Sequence, residues 1–334
     1  MNSKHLLLAS AAILSLAACN KTVTEPVQSQ FPEDGVMRFT TNLVDPTAVT
    51  TRASITGSDV NQDGQQFQVK IVNPTSAQYS YFNTVQYDGS EWTPINRMLW
   101  QNDQQSITVT AAYKQGKTFS DYDFIVGANL TVAADQSTEA KLKQQDLLTM
   151  PTKTIANPSI EETLMQNGKL VINFYHALTK LDVTLDLNDE FYPANIQASD
   201  ITEFTIKGTN AGYQFKAMET ANENYGTVTV TASTAADILA NQYNFTAGTA
   251  ESKHSTAKYE AIIVPQTIAA GQLTVSFKIG TRSFSWTNTQ AYTLEQGKQY
   301  TLPLTVGNDG VTAGSRAFTV TSWENQPGDN LGTE

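Results

Sequence analysis

From residue 37 onward, apolar and polar side chains alternate in short runs, which is the period of a half-buried strand and not of a helix. Met37-Arg38-Phe39-Thr40-Thr41-Asn42-Leu43 places Met37, Phe39, Thr41 and Leu43 on one face. Gln66–Ile71 alternates the same way, as do runs at 78–85, 106–113 and 122–132. Turn-forming Asp88-Gly89, Asn96, Gln115-Gly116 and Asn129 separate them. In the second half the pattern predicts a long strand over Lys169–Leu187, bent near His176-Ala177. Strands follow at 201–207, 226–231, 257–264, 273–279, 283–287, 299–306 and 317–323. Two intervals break the rhythm. Residues 133–145 read as a helix or a loop, and the Ser159-to-Glu162 spacing after Asn157-Pro158 predicts a capping box and one short helix. Many short strands with regular turns predict an all-β protein of two β-sandwich domains, 36–165 and 166–334. No repeat of about 20–50 residues recurs, which argues against a solenoid or propeller.

The N-terminus departs from this pattern. Lys4 and His5 precede an apolar run, Leu6–Leu16, broken only by Ser10 and Ser15. Leu16-Ala17-Ala18-Cys19 then completes a lipoprotein signal over residues 1–19. The run is shorter than the roughly 20 residues a membrane span needs. Cys19 is the only cysteine, so no disulfide forms within the chain and the core must supply the stability. The expected role of Cys19 is to carry lipid, where each buried methylene contributes about 0.8 kcal/mol to membrane attachment. Residues 20–35 are polar, include Pro26 and Pro32, and read as a tether.

Charge narrows the partners. Asp and Glu outnumber Lys and Arg 32 to 21, for a net charge of −11 over 334 residues, so a phosphate backbone finds no basic patch and no nucleic-acid partner is expected. The motifs that carry chemistry mostly lack parts. After the signal only His176 and His254 remain, too few for most metal sites and triads, and His176 sits in an apolar strand. Asp59-Val60-Asn61-Gln62-Asp63-Gly64 opens like a calcium loop, but Lys70 stands where the bidentate carboxylate is required. Ser255-Thr256-Ala257-Lys258 matches a penicillin-recognising pattern without its companion motifs and at a strand instead of a helix start. Phosphate-binding glycine loops are absent. The expectation is therefore a protein that is not an enzyme, with no metal and no cofactor beyond lipid on Cys19. Trp92, Trp100, Trp286 and Trp323, with 13 tyrosines, could stack on sugars, although such rings serve more often as core.

The order of several motifs resembles the fimbrillin family of Bacteroidales, the subunits of lipoprotein-derived (type V) pili. They are Val85-Gln86-Tyr87-Asp88-Gly89-Ser90-Glu91-Trp92, Met98-Leu99-Trp100, Ile107-Thr108-Val109-Thr110-Ala111-Ala112-Tyr113 and Asp146-Leu147-Leu148. Phe174-Tyr175-His176-Ala177-Leu178-Thr179-Lys180-Leu181, Gly297-Lys298-Gln299-Tyr300-Thr301-Leu302 and the late Trp323 complete them. The resemblance implies two transthyretin-like sandwiches and assembly by strand exchange: a protease cuts after an arginine, the leading strand is lost, and a neighbour's C-terminal strand replaces it. On that pattern Arg52, followed by Ala53, is the candidate cut, because Arg38 lies within the strand. Residues 317–323, with Phe318, Val320 and Trp323, are the candidate donor strand after a joint at Gly307-Asn308-Asp309-Gly310 and Gly314, or equally the last strand of their own domain. The implied partners are other fimbrial subunits, the outer membrane through the lipid, and a receptor on a host or bacterial surface. The implied place is the outer membrane and cell-surface fimbrium, although Asn20-Lys21-Thr22-Val23 lacks the acidic residues often found behind a surface lipoprotein's cysteine. The other reading is a monomeric surface lipoprotein that binds glycans through exposed aromatics.

Overall fold

The computed structural model describes residues 31–44, 55–217, 226–231, 235–314 and 318–323. Cys19, Arg52 and Ala53 lie outside them. The chain is all-β, organised around two hydrophobic clusters. No helix among the described residues is long and apolar enough to cross a membrane.

The first half runs β1 (Phe39–Leu43), α1 (Gly57–Val60), β2 (Gln66–Val72), β3 (Tyr81–Tyr87), β4 (Trp92–Pro94) and β5 (Ile107–Tyr113). It continues with α2 (Asp121–Ile125), β6 (Ala128–Thr131), α3 (Glu139–Lys143), β7 (Leu148–Ile155), β8 (Met165–Gln166) and β9 (Lys169–His176). Its main sheet has the order β1-β4-β3-β2-β5-β7-β9-β8, and β1 also pairs with β9. The pairing therefore closes on itself, and β1 is the strand that closes it. Alternation supplies the interior: Phe67, Val69, Ile71, Val85, Val109, Ala111, Ile172 and Phe174 are all buried in the cluster this ring encloses.

The second half runs β10 (Thr179–Leu187), β11 (Ile201–Asn210), β12 (Gly212–Lys216), β13 (Thr227–Val230), β14 (Ala235–Leu239), β15 (Asn241–Thr246) and β16 (Ser255–Ile263). Then come β17 (Gln266–Ile268), β18 (Thr274–Ile279), β19 (Arg282–Thr287), β20 (Tyr292–Leu294), β21 (Lys298–Gly307), β22 (Gly310–Ala313) and β23 (Thr319–Ser322). A sheet ordered β15-β16-β10-β21-β22, with β23 also on β21, shares its core with a sheet ordered β14-β11-β18-β19. Phe204 of β11 stacks on Tyr259 of β16 across that core at 3.7 Å.

Four expectations need correction. Residues 122–132 are not one strand: Ser120 and Asp123 form a reciprocal capping box that starts α2, and Gly127 at φ +117° ends it before β6. Ser159-to-Glu162 makes turns, because Asn157 Oδ1 accepts from Ser159 and Glu161 Oε1 accepts from Thr163 and Leu164, which leaves no helical ladder. Gly307-Asn308-Asp309-Gly310 is not a loose joint but the hairpin turn between β21 and β22, with Gly307 and Gly310 in register. The boundary expected between 165 and 166 cuts the β8–β9 hairpin, whose Met165, Leu170, Ile172 and Phe174 belong to the first cluster. The long strand does break where its pattern bends, at Ala177-Leu178 between β9 and β10. The halves are also interlocked, since Phe119, Phe124, Ala128, Leu142 and Leu147 enter the second cluster and β6 pairs with β12.

Candidate assembly site

The leading strand β1 is built as an insert. It lies parallel to β9 in an unbroken register from Phe39↔Leu170 to Leu43↔Phe174. The ladder is extended by Leu170 N–H to Arg38 O (2.7 Å) and Val44 N–H to Phe174 O (3.1 Å). On its other side the pairing is sparse: β1 meets β4 only at Phe39↔Trp92. Met37 N–H then bonds Met98 O (3.0 Å) and Trp100 N–H bonds Gly35 O (2.9 Å). Between these points the chain from Thr93 to Arg97 turns away and borders a cleft of about 340 Å³. Met37 and Phe39 are each 1% exposed and plug the first cluster, where Phe39 meets Phe67 edge-on at 6.1 Å. Thr41 Oγ1 and Trp92 Nε1 both donate to Asn61 Oδ1 at 2.7 Å, so one amide ties β1, β4 and the 61–64 turn together. Outside the ring, Arg38 makes a two-pronged contact with Asp34 (2.9 and 2.6 Å) that holds the Asp34 carboxyl well below the usual carboxylate range.

The C-terminal strand β23 pairs antiparallel with its own chain, Thr319–Ser322 against Lys298–Thr301 of β21. Of the two places open to it on sequence, it occupies here the last position in its own sheet. β22 and β23 share the same edge of β21 and are separated opposite Leu302 and Pro303. Pro303 has no N–H to donate, so the ladder breaks there. Val320 is half exposed, whereas the ends of the segment are fixed. Phe318 stands edge-on to Tyr292 (4.4 Å) and near Tyr300 and Trp286. Trp323, 1% exposed, lies flat on the His176 ring, with centroids 4.0 Å apart and planes 2° from parallel. Its N–H bonds Gly297 O at 2.9 Å.

His176 ends β9, and its Nδ1 faces Asp146 Oδ2 at 2.7 Å, both residues fully buried. Nothing in the spacing of Asp146, His176 and Trp323 announces this contact; only the bend at His176-Ala177 hints that the histidine stands at a junction. Lys114 is buried nearby and donates to Gln144 O at 2.6 Å; burial pushes its ammonium down to about 8. Burial, followed by the charge of Asp146, raises the Tyr213 hydroxyl. His176, Asp146, Tyr213 and Lys114 are all buried.

The remaining sequence candidates have structural partners. In the calcium-like turn, Asp59 bonds Thr56 and Lys143, and Asn61 Oδ1 is taken by Thr41 and Trp92. Among the described residues, no group of three or more His, Cys, Asp or Glu converges as a metal site. Ser255 and Lys258 lie three residues apart on β16 and so face opposite sides of the sheet. Ser255 Oγ accepts from Gly248 N–H at 2.9 Å. His254 pairs on the surface with Asp186 at 2.8 Å. All four tryptophans are buried, none more than 9% exposed.

The description "Fimbrillin-like" belongs to the family model that matches residues 51–323. No curated protein matches in sequence. Among solved structures, one from Bacteroides uniformis, described as a candidate cell adhesion protein, is 16% identical with a TM-score of 0.55, covering 87% of this chain and 99% of its own. A second, from Bacteroides ovatus and described in the same terms, is 14% identical with a TM-score of 0.57, covering 86% and 97%. At these identities the likeness is one of fold.

Proposed function

This chain belongs to the fimbrillin-like family, and from that premise we propose that it is a structural and adhesive fimbrial subunit that assembles by strand exchange. In this reading it is exported as a lipoprotein on Cys19, reaches the outer membrane, and is cut between Arg52 and Ala53. The leading strand β1 then leaves with the lipid, and a C-terminal strand of another fimbrial subunit takes its place. The observation that carries the reading is β1 itself, a short strand that closes the first ring and is bonded fully on one edge and sparsely on the other. Its departure exposes the backbone of residues 170–174 and the apolar seat of Met37 and Phe39, and an added strand satisfies both. Arg52 follows β1 in the chain, so one cut there severs β1 from everything after it. The glycan reading has less support, because all four tryptophan faces are inside the protein, although tyrosines such as Tyr122 stand exposed.

The test is arginine-specific proteolysis of the full chain, followed by electrophoresis under conditions that preserve strand-exchanged polymers. Ladders are expected for the wild type and none for Arg52→Ala. Complete cleavage that leaves only monomer refutes the proposal. N-terminal sequencing of the surface form adds a second readout: Ala53 for the processed subunit, lipidated Cys19 for the anchored precursor.

A further inference from the structure

The outer face of the first sheet carries a cleft that assembly does not use. Along β2 the side chains of Phe67, Val69 and Ile71 enter the first core, so Lys70 and Val72 stand on the opposite face. Their register partners on β5 are Thr110 and Thr108. The register between β5 and β7 shifts opposite Thr110, where Pro151 and Thr152 fill the interval between Met150 and Lys153. That bulge brings Thr152 to the same wall as the other two threonines, and Thr110 Oγ1 donates to Met150 O at 3.0 Å. Facing this wall is α2, fixed by Phe124, which meets Phe82 edge-on at 5.2 Å and Phe119 at 6.2 Å. Between the threonines and the side chains of Phe124, Ile125 and Ala217 lies a cavity of about 280 Å³.

The two walls differ in chemistry. Lys70 Nζ donates to Asp121 Oδ1 at 2.9 Å, a contact that uses one of the three protons of the ammonium and one oxygen of the carboxylate. Two adjacent hydroxyls can bridge such a pair, one accepting from the ammonium and the other donating to the carboxylate. Thr110, its proton directed at Met150, presents lone pairs to a further hydroxyl. The apolar side is open to solvent, with Val72 40% and Ile125 42% exposed, and Tyr122, one turn ahead of Ile125 on α2, is 67% exposed.

Hydroxyls and an ion pair opposite apolar carbon match a pyranose ring, which carries hydroxyls at its rim and C–H groups on its faces. The volume is at the lower end for small-molecule sites and admits a single ring. An apolar peptide side chain would strip water from the ion pair and the threonines without replacing their hydrogen bonds, which is costly. A carboxylated sugar is disfavoured, because Asp121 already neutralises Lys70 and the chain carries a net charge of −11. We propose that this cleft binds one neutral hexopyranose unit of a surface glycan, with Lys70 and Asp121 clasping adjacent hydroxyls and Ile125 packed on the C–H face. The inference rests on the adhesive part of the proposed function and needs neither cleavage nor strand exchange. No tryptophan takes part.

The test is saturation-transfer NMR on the full-length chain carrying Cys19→Ser, with the methyl glycosides of glucose, galactose and mannose as probes. Transfer to the ring C–H protons of at least one glycoside is expected. Lys70→Met, which keeps the apolar stem and removes the donor, and Ile125→Ser should each weaken that binding about tenfold or more. Lys278→Met removes a comparable surface ion pair, with Glu203 in the second half, and should leave binding unchanged. The proposal is overturned if none of the three glycosides shows transfer, or if binding survives both cleft variants. It is also overturned if an apolar dye enters the cleft while no sugar does, which would point to an apolar partner. Polymer ladders after arginine-specific proteolysis, scored on the same variants, keep the two readings apart. Ladders without sugar binding sink the cleft and leave strand exchange standing; sugar binding without ladders does the reverse.

Discussion

Replacing Phe39 by alanine tests whether β1 is held as an insert. Phe39 and Met37 are the fully buried side chains of the leading segment in the first core, each 1% exposed, with Leu43 packed against it partly buried, and Phe39 meets the ring of Phe67 edge-on at 6.1 Å. Emptying a buried phenylalanine site costs about 3–5 kcal/mol, transfer and cavity together. Five register pairs to β9 contribute hydrogen bonds worth about 0.5–1.5 kcal/mol net apiece, so the single ring rivals the whole ladder. The intact chain carrying Phe39→Ala should lose about 3–5 kcal/mol of unfolding free energy in urea. After a cut at Arg52, the severed segment should be retained about a hundredfold or more less tightly than in the wild type, at 1.4 kcal/mol per decade. The assay is gel filtration of cleaved protein over a time course, with mass spectrometry of the small fragment. Asn42→Ala, on the exposed face of the same strand, is the control and should change retention little. If Phe39→Ala costs the intact chain less than about 1 kcal/mol, β1 does not plug the core and the strand-exchange argument loses its physical basis.

Further expectations concern the interior. Lys114 should make stability rise with pH: burial holds its folded value at about 8 against 10.5 unfolded, so between these values the unfolded chain binds more protons. The gain from pH 8 to pH 10 is about 2 kcal/mol, read by urea denaturation, and Lys114→Met should flatten the rise. Above pH 10 the raised hydroxyls of Tyr113 and Tyr213 act in the opposite sense, since the unfolded chain loses those protons first. Gly208 has φ +84° on β11, and a Cβ there would stand 1.9 Å from the Gln272 carbonyl oxygen, so Gly208→Ala should cost at least about 2 kcal/mol in thermal unfolding. Asn61→Ala removes the shared acceptor of Thr41 and Trp92 and leaves a buried indole N–H with only the 3.1 Å contact to Thr41; a loss of about 1–3 kcal/mol is expected by urea denaturation.

Period-two alternation and turn residues were enough to read an all-β chain. Local pattern carried that much because the faces of a strand are written directly in neighbouring residues. It failed where local hydrogen bonds won: at Ser120–Asp123, a capping box turned an apolar run into helix, and at Asn157–Leu164 side-chain acceptors made turns where a helix was expected. Motif order carried the family, which the match over 51–323 shows. Contacts between residues remote in the chain could not be read in this way. Phe39 and Leu170 are partners through a parallel pairing, and no local pattern specifies a parallel neighbour 131 positions away. Asp146, His176 and Trp323 come from three separate segments, and each alone looks like ordinary core. Alternation assigns each side chain to a face, whereas the ring closed by β1 and the indole seat beneath β23 depend on which strands meet, and that is settled only when the whole core packs.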